Sequence, residues 1–208
     1  MIQQLLTGSS DIIVDTFIEG GYFAGYISHT QDGVPTHGLV VAPASSGFTI
    51  AQWKTSNTST SGTSSLFDGA ANTANMANSS HPAANYCAGL TINGYSDWYL
   101  PSLYELEIAY YNLKPTTDSN STSYGGNPYS VPTRSGLYTT GNPAQTSATA
   151  FQTGGTEPFY ANFHWSSTDA SDFNITTSSR IIKFDAGGRF LGDKVSWHHT
   201  RAFRKFAV

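Results

Sequence analysis

The N-terminal part of the chain alternates short apolar stretches, rich in β-branched and aromatic residues, with breaks that contain glycine. This pattern is typical of short β-strands joined by turns. Three strands are predicted, at residues 11–18, 22–28 and 37–42. The sequence Gln31-Asp32-Gly33 supplies a turn before the third strand, and Pro43 ends it. We therefore expect a three-stranded meander in this part of the chain.

Helical patterns begin after residues 55–65, a stretch of Ser, Thr, Gly and Asn that is typical of a solvated loop. Three helices are predicted, at residues 69–79, 82–89 and 103–113. Asp68 is the expected N-cap of the first helix, and Pro82 fits the first position of the second. The apolar face of the first helix is predicted at Ala71, Ala74 and Ala77. The buried stripe of the third is predicted at Leu103, Leu106, Tyr110 and Leu113.

The third helix has the clearest start signal in the chain. Ser102 is followed three residues later by Glu105, which is the spacing of a capping box. In that motif the serine hydroxyl accepts the backbone N–H of Glu105, and the carboxylate accepts the N–H of Ser102. Lys114 and Pro115 are expected to end the helix.

The C-terminal half begins with a long polar segment, residues 115–160, which we expect to be an irregular loop insertion. It is interrupted by Pro128, Pro132, Pro143 and Pro158. Closing strands are predicted at Arg180–Asp185, Arg189–Leu191 and Thr200–Phe206. We expect residues 1–24 to form an N-terminal arm or strand and residues 25–208 a single domain that contains the insertion. Strands, short helices and a long loop together indicate an α+β fold class.

Composition narrows the function classes. Charged residues make up only 12% of the chain, aromatic residues 13%, and the formal net charge is −4. Because no basic run is present, nucleic-acid binding through phosphates is not expected. No stretch approaches the roughly 20 apolar residues of a membrane span, and the N-terminus lacks the basic region of a signal peptide. The single cysteine, Cys87, excludes an intrachain disulfide and is expected to be a small buried side chain.

No motif for catalysis or metal binding is present. The chain lacks G-x-S-x-G, H-E-x-x-H, C-x-x-C and a phosphate-binding glycine loop, and we expect no enzymatic activity. His198 and His199 are adjacent, so on a strand they point to opposite faces and do not readily share a metal. Asp169, Asp172 and Asn174 could supply oxygens to Ca²⁺, but an Asx turn is the favoured alternative and no cofactor is expected.

Aromatic and polar residues of the C-terminal half are the best ligand candidates. Tyrosine and tryptophan offer large, rigid and amphipathic contact surfaces, on which sugar rings can stack. The candidates are Tyr124, Tyr129, Tyr138, Tyr160, Trp197 and His198. For each of them, packing of the insertion onto the domain or onto a neighbouring subunit remains an alternative. Trp98 and Trp165 are expected in the core. Arg201 and Arg204 are expected to hold loops in place or to pair with acidic residues, rather than to contact a ligand.

Three sequence boxes carry a family resemblance. They are "DWYLPSLYEL" at 97–106, "HWSSTDAS" at 164–171 and "TRAFRKF" at 200–206. In this order they resemble the boxes of the Lcl C-terminal domain family, over roughly residues 68–208. Upstream segments such as "GGYFAGYI" and "DGAANTANMA" resemble members encoded by tailed bacteriophages. The resemblance implies a C-type-lectin-like fold, although the E-P-N and W-N-D boxes of sugar-binding animal lectins are absent.

The resemblance also implies a function. Such phage proteins are regarded as virion proteins, so we expect a tail- or fibre-associated adhesin, made in the host cytoplasm, that contacts a host surface glycan or protein. The alternative is a structural virion subunit of the capsid decoration, collar or baseplate, whose loops contact other virion proteins. A homo-oligomer is expected, with a trimer suggested by analogy to fibre-tip proteins.

Overall fold

The computed structural model describes residues 12–208 and shows an α+β fold, with ten strands in two sheets and four short helices. The strands are β1 (Phe17–Ile18), β2 (Gly21–Ile27), β3 (His37–Val41), β4 (Phe48–Gln52), β5 (Ser130–Val131), β6 (Phe163–Asp169), β7 (Ser178–Lys183), β8 (Gly188–Asp193), β9 (Trp197–Arg201) and β10 (Phe203–Ala207). The helices are α1 (Ala44–Gly47), α2 (Gly69–Ala74), α3 (Pro82–Ala88) and α4 (Leu103–Leu113).

The first sheet has the order β1-β2-β3-β10, and β5 pairs with β2 as a fifth strand. Its pairings are all antiparallel. A register shift between Phe23 and Gly25 marks a bulge in β2, and Gly25 has a φ of 138°. A Cβ at Gly25 would lie 2.5 Å from the Asn112 side chain, so glycine is required where α4 crosses this strand.

The second sheet has the order β4-β9-β6-β7-β8. Its pairings are antiparallel except that of β6 with β9, which are parallel and pair only at His164 and His199. The chain passes from this sheet to the first at Ala202, between β9 and β10. The prediction of one continuous strand at Thr200–Phe206 is therefore wrong. Its first part belongs to β9 in the second sheet, and its last part belongs to β10 in the first sheet.

Helix α4 is the main helical element of the core. The predicted bounds 103–113 and the capping box are confirmed, and the stripe Leu103, Leu106, Tyr110 and Leu113 is buried as predicted. The helix packs on β2, β6 and β7 and so contacts both sheets.

A second apolar cluster contains Trp53, Trp98 and Trp165, each at most 2% exposed. Cys87 lies in the same cluster as a free thiol whose pKa is raised by burial.

Strands at 22–28 and 37–42 and the helix at 82–89 are confirmed within a residue or two. The predicted strand at 11–18 is reduced to β1, because Asp15 and Glu19 adopt positive φ on either side of it. Residue 11 and the N-terminal part of the predicted arm lie outside the described residues. Strand β2 extends across the expected boundary at residue 24, and β1 and β2 both belong to the first sheet.

The predicted helix at 69–79 ends at Ala74, and its predicted apolar face is wrong. Ala71 and Ala74 are exposed, and Asn72 and Thr73 face the interior instead. Interior hydrogen bonds explain the reversal: Asn72 Nδ2 donates to the Ser65 carbonyl (2.7 Å), and Thr73 Oγ1 donates to the Leu100 carbonyl (3.2 Å).

The insertion at 115–160 is irregular, as predicted, but it belongs to the core. It contains β5 and one short 3₁₀ turn at Thr149–Phe151. Tyr138, Phe151 and Phe159 are each at most 4% exposed and pack with residues of α4 and β7. Within residues 12–208, no helix is long and apolar enough to cross a membrane.

Candidate functional site

Three of the six candidate ligand residues lie together on the second sheet. Tyr160, Trp197 and His198 surround the edge formed by β4, β9 and the start of β6. With their neighbours they form a group of exposed and half-buried side chains that we call the aromatic patch, consisting of Phe48, Ile50, Tyr160, Phe163, Trp197, His198 and His199. All of these residues except Tyr160 lie on paired strands, so the sheet holds their backbone.

The strand register determines which side chains share a face. Ile50 lies opposite His199, and Gln52 lies opposite Trp197, in the antiparallel pair β4–β9. Directly opposed residues project on the same side of a sheet. Trp197 is 66% exposed, Tyr160 50% and Ile50 48%, so large apolar side chains remain open to solvent here.

Aromatic stacking orders the exposed rings. The Tyr160 ring lies parallel to the His199 imidazole, with centroids 4.9 Å apart and an interplanar angle of 15°. Phe48 packs against both rings, with centroid distances of 5.0 Å to Tyr160 and 5.5 Å to His199. Rings held in this way lose little further conformational entropy when a ligand binds.

A shallow cleft of about 140 Å³ opens beside Trp197. Its lining is Ile50, Asn162, Phe163, Trp197, His198 and His199. The cleft offers apolar walls together with the amide of Asn162 and imidazole nitrogens.

The two adjacent histidines point to opposite faces of the sheet, as predicted. His198 packs against Trp165 and Phe163, at centroid distances of 4.6 and 5.5 Å. His199 packs on Tyr160 and on buried His164, whose ring lies 5.2 Å away. They therefore do not converge on a shared ligand, although both line the cleft.

The patch carries no net charge at neutral pH. Burial lowers the pKa of His198 and His199 below the usual value, and it lowers the pKa of His164 further. All three imidazoles are therefore neutral at pH 7, and each has one nitrogen that accepts and one that donates a hydrogen bond. A neutral ligand can approach without displacing an ion pair.

Burial of neutral histidines predicts an acid-sensitive fold. All six histidines of the chain have a lowered pKa, and those of His29 and His81 fall to about 4. Below pH 6.5 the unfolded chain gains protons that the folded chain does not bind, so the free energy of unfolding should fall between pH 6.5 and 4. Replacement of His164 by Phe should reduce this slope by up to about 1.4 kcal/mol per pH unit.

The measurement is urea unfolding of wild type and H164F at pH 7, 6, 5 and 4.5. The variant Phe17→Ala, which removes an exposed ring and no titrating group, is the control and should keep the wild-type slope. An unchanged slope in H164F would mean that His164 titrates alike in the folded and unfolded chain.

The remaining three candidates lie elsewhere. Tyr138 is 4% exposed and its hydroxyl donates to Glu107 (3.0 Å), so it packs in the core and is not presented to a surface ligand. Tyr129 stacks on Phe67 at a centroid distance of 4.4 Å. Tyr124 lines a separate groove beside β7 and β8.

Sequence reasoning missed Phe48, Ile50, Phe163 and His199 as parts of the patch. Strand β4 was not predicted, although Phe48, Thr49 and Ile50 alternate between apolar and polar side chains. No role in ligand contact was predicted for His199. The alternation at 48–50 is a signal for a strand, but only the fold places Phe48 and Ile50 beside the other aromatic residues.

The expected arginine and acid pairings are present. Arg201 binds Glu157, and Arg204 binds Asp97 and Glu19. At the calcium candidates, Asp169 accepts from Thr63 and Ser171, and Asp172 pairs with Arg180. Among residues 12–208, no group of three or more His, Cys, Asp or Glu side chains is arranged to hold a metal ion.

Comparisons with protein-family models, with curated proteins and with solved structures found no match to this chain.

Proposed function

We propose that this protein is a binding module that contacts a cell surface through the aromatic patch, with glycan as the ligand. The observation that carries the proposal is the exposure of Trp197 and Ile50 on the paired strands β9 and β4, together with that of Tyr160, whose ring is stacked on His199 of β9. Single exposed apolar side chains are common on protein surfaces, but a contiguous group with stacked rings marks an interaction site. Binding of this kind needs no catalytic side chain, because stacking and hydrogen bonding are sufficient to hold the ligand.

The chemistry of the patch suits a sugar. The apolar face of a pyranose ring packs on Trp and Tyr, while its hydroxyls require nearby donors and acceptors. Asn162 and the neutral imidazole of His199, which projects on the same face of β9 as Trp197, supply both at the cleft. One shallow cleft supports only weak affinity, and several copies of the module would raise the effective concentration at a surface.

The biological setting of the proposal comes from the sequence resemblance. It is that of a bacteriophage virion protein, associated with the tail or a fibre, with a C-type-lectin-like fold. The α+β class, the low regularity of residues 115–160 and the short helices are compatible with that fold. Localisation in the virion, contact with host glycan and assembly as a homo-oligomer are parts of the same proposal.

The test replaces Trp197 with alanine. We expect W197A to lose at least about tenfold in binding to intact host cells, because aromatic anchors dominate interface energetics. Binding is measured with fluorescently labelled protein before and after periodate oxidation of the surface glycans. F17A serves as the matched control, since Phe17 is 55% exposed and lies in the first sheet, outside the patch. Equal binding by wild type and W197A would exclude the patch as the contact surface.

A second candidate function is a structural virion subunit. The exposed apolar side chains of the patch favour it, because such groups also bury well against another protein. In that case neither wild type nor W197A would bind host cells, and W197A would assemble poorly, which particle reconstitution would reveal.

A further inference from the structure

A second groove lies beside the edge strand β8, on the second sheet. Its volume is about 530 Å³. It is lined by apolar side chains and two arginines, among them Tyr124, Phe173, Arg180, Arg189, Phe190 and Leu191. We call it the arginine groove. Phe173, Phe190 and Leu191 are 56%, 47% and 40% exposed, so its walls are open to solvent.

Both arginines use only part of their hydrogen-bonding capacity. Arg180 donates from Nη2 to Asp172, and Arg189 donates from Nη2 to Glu107 and to the Gly126 carbonyl (2.8 Å). Among the described residues, Nε of each arginine is buried without an acceptor. A guanidinium has five N–H donors, and because Nε is buried, the donors left for a further acceptor are those of Nη1, which makes no hydrogen bond to the described residues in either arginine.

The charges around the groove favour an anion. Arg134 and Arg189 share one carboxylate, that of Glu107, and Arg180 pairs with Asp172. The Arg180–Asp172 pair is neutral, whereas Arg189 and Arg134, which lies outside the groove, carry two positive charges against the one negative charge of Glu107. The excess of one positive charge belongs to the cluster that places Arg189 in the groove, and a carboxylate matches the geometry of a guanidinium.

The walls define the rest of the ligand. Arg180 lies over the Phe173 ring, with the guanidinium carbon 4.8 Å from the centroid. Phe173 and Phe190 present ring surface that a sugar ring can cover, while the arginines reach its acidic substituent. An isolated inorganic anion would leave these walls unused.

From this arrangement we infer that the arginine groove binds a carboxylate-bearing sugar, of the uronic or sialic acid class. The inference rests on the proposal that the protein binds glycans. It adds a second glycan-binding surface, which recognises an acidic sugar rather than a neutral one. Phe163 connects the two surfaces, because its ring lies 5.5 Å from Phe190 in the groove and 5.5 Å from His198 in the aromatic patch. A surface polysaccharide with both acidic and neutral units could contact the two in succession.

The test is titration of the full-length, ¹⁵N-labelled protein with sialyllactose and with trigalacturonic acid. Each is used up to about 10 mM, since single weak sites have dissociation constants near the millimolar range. Lactose and the methyl esters of both acids are the neutral controls, and lactose sulfate tests for a general anion effect. We expect shifts of the Arg180 and Arg189 Nε–H signals with the two acids only.

The key variant is Arg180→Gln, which removes the charge but retains a long polar side chain. It should weaken binding of the acidic sugars at least about tenfold, since a charge-assisted hydrogen bond is lost. The matched control is Lys183→Gln on the same strand, which removes one charge that pairs with Asp185 outside the groove, and it should bind as wild type.

Three results would overturn the inference: no shift with either acid, equal shifts with the esters or lactose sulfate, or equal losses in R180Q and K183Q. None of them bears on the proposed function, which is tested by W197A on host cells. Conversely, if W197A binds cells normally and R180Q alone loses the acidic sugars, the groove is supported and the aromatic patch is rejected.

Discussion

Replacement of Glu105 by alanine is expected to lower the free energy of unfolding by about 3 kcal/mol or more, because it leaves several buried donors without an acceptor. Glu105 is fully buried. Its Oε2 accepts the backbone N–H of Ser102 (2.7 Å), the Ser102 hydroxyl (2.8 Å) and the backbone N–H of Gly69 (3.0 Å). Its Oε1 accepts the Tyr99 hydroxyl (2.8 Å).

The capping box therefore does more than begin α4, because its carboxylate also binds two other elements of the fold. Gly69 begins α2, Tyr99 forms a bridge with Phe203 of β10, and Ser102 caps α4. One carboxylate joins these three elements. A Cβ at Gly69 would lie 2.5 Å from the Glu105 Oε2 atom, so the first residue of α2 must be glycine for this contact to form.

The comparison with Ser102→Ala separates the two roles of the motif. That variant removes the hydroxyl of the N-cap but leaves the Glu105 carboxylate with its other donors, and it should cost about 1 kcal/mol. Urea unfolding followed by circular dichroism measures both. If E105A were no less stable than S102A, Glu105 would act only as a helix cap and the bonds to Gly69 and Tyr99 would contribute little.

Elements with strong local signals were predictable from the sequence. Helix α4 has an N-cap, a regular apolar stripe and a terminating proline, and the structure has it at the predicted residues. The strands at 21–27 and 37–41 have β-branched content and flanking turn residues. In these segments, local preference and tertiary packing agree.

Elements that depend on distant partners were missed. The face of α2 is determined by hydrogen bonds from Asn72 and Thr73 to other segments, which the alanine pattern does not reveal. The break at Ala202 arises because β9 and β10 pair with different sheets. The periodicity of the sequence reveals neither the buried face of α2 nor the break at Ala202, because each depends on residues that are distant in sequence.

The candidate site could be predicted only in part, because residue types are visible in the sequence but their contacts with distant residues are not. Residue type suggested Tyr160, Trp197 and His198, and the structure brings them together. Residue type also suggested Tyr138, whose exposure depends on α4 and Glu107. The partners Phe48 and Ile50 come from a strand more than a hundred residues away in sequence from Tyr160, so only the fold places them in the patch.

Replacement of Glu157 by alanine is the second large effect, with an expected loss of about 3–5 kcal/mol, because it leaves a buried guanidinium without its counter-charge. The Arg201 side chain is 1% exposed and its Nη2 donates to Glu157 Oε2 at 2.8 Å. Burial lowers the pKa of Arg201 to about 10, which reflects the cost of desolvating its charge. The same carboxylate oxygen accepts the backbone N–H of Ala44 at 2.6 Å.

A double variant isolates the buried charge as the cause. Replacing Arg201 by Met together with Glu157 by Leu removes both charges, and it should be less destabilised than E157A alone. Thermal and urea unfolding of the two variants make the comparison. If the double variant were the less stable of the two, the contacts of Arg201 with the Ala42 carbonyl and the Phe159 ring would outweigh the unpaired charge.

This pair also connects stability with the aromatic patch. Arg201 lies opposite Phe48 in the β4–β9 register, and Glu157 lies three residues before Tyr160. Loss of the pair removes one of the contacts that hold the end of the 115–160 segment on the sheet, so we expect the Tyr160 ring to be stacked less firmly on His199. E157A should therefore reduce binding to cells at temperatures where it is still folded, whereas E105A, whose network lies at the start of α4, should bind as wild type under the same conditions.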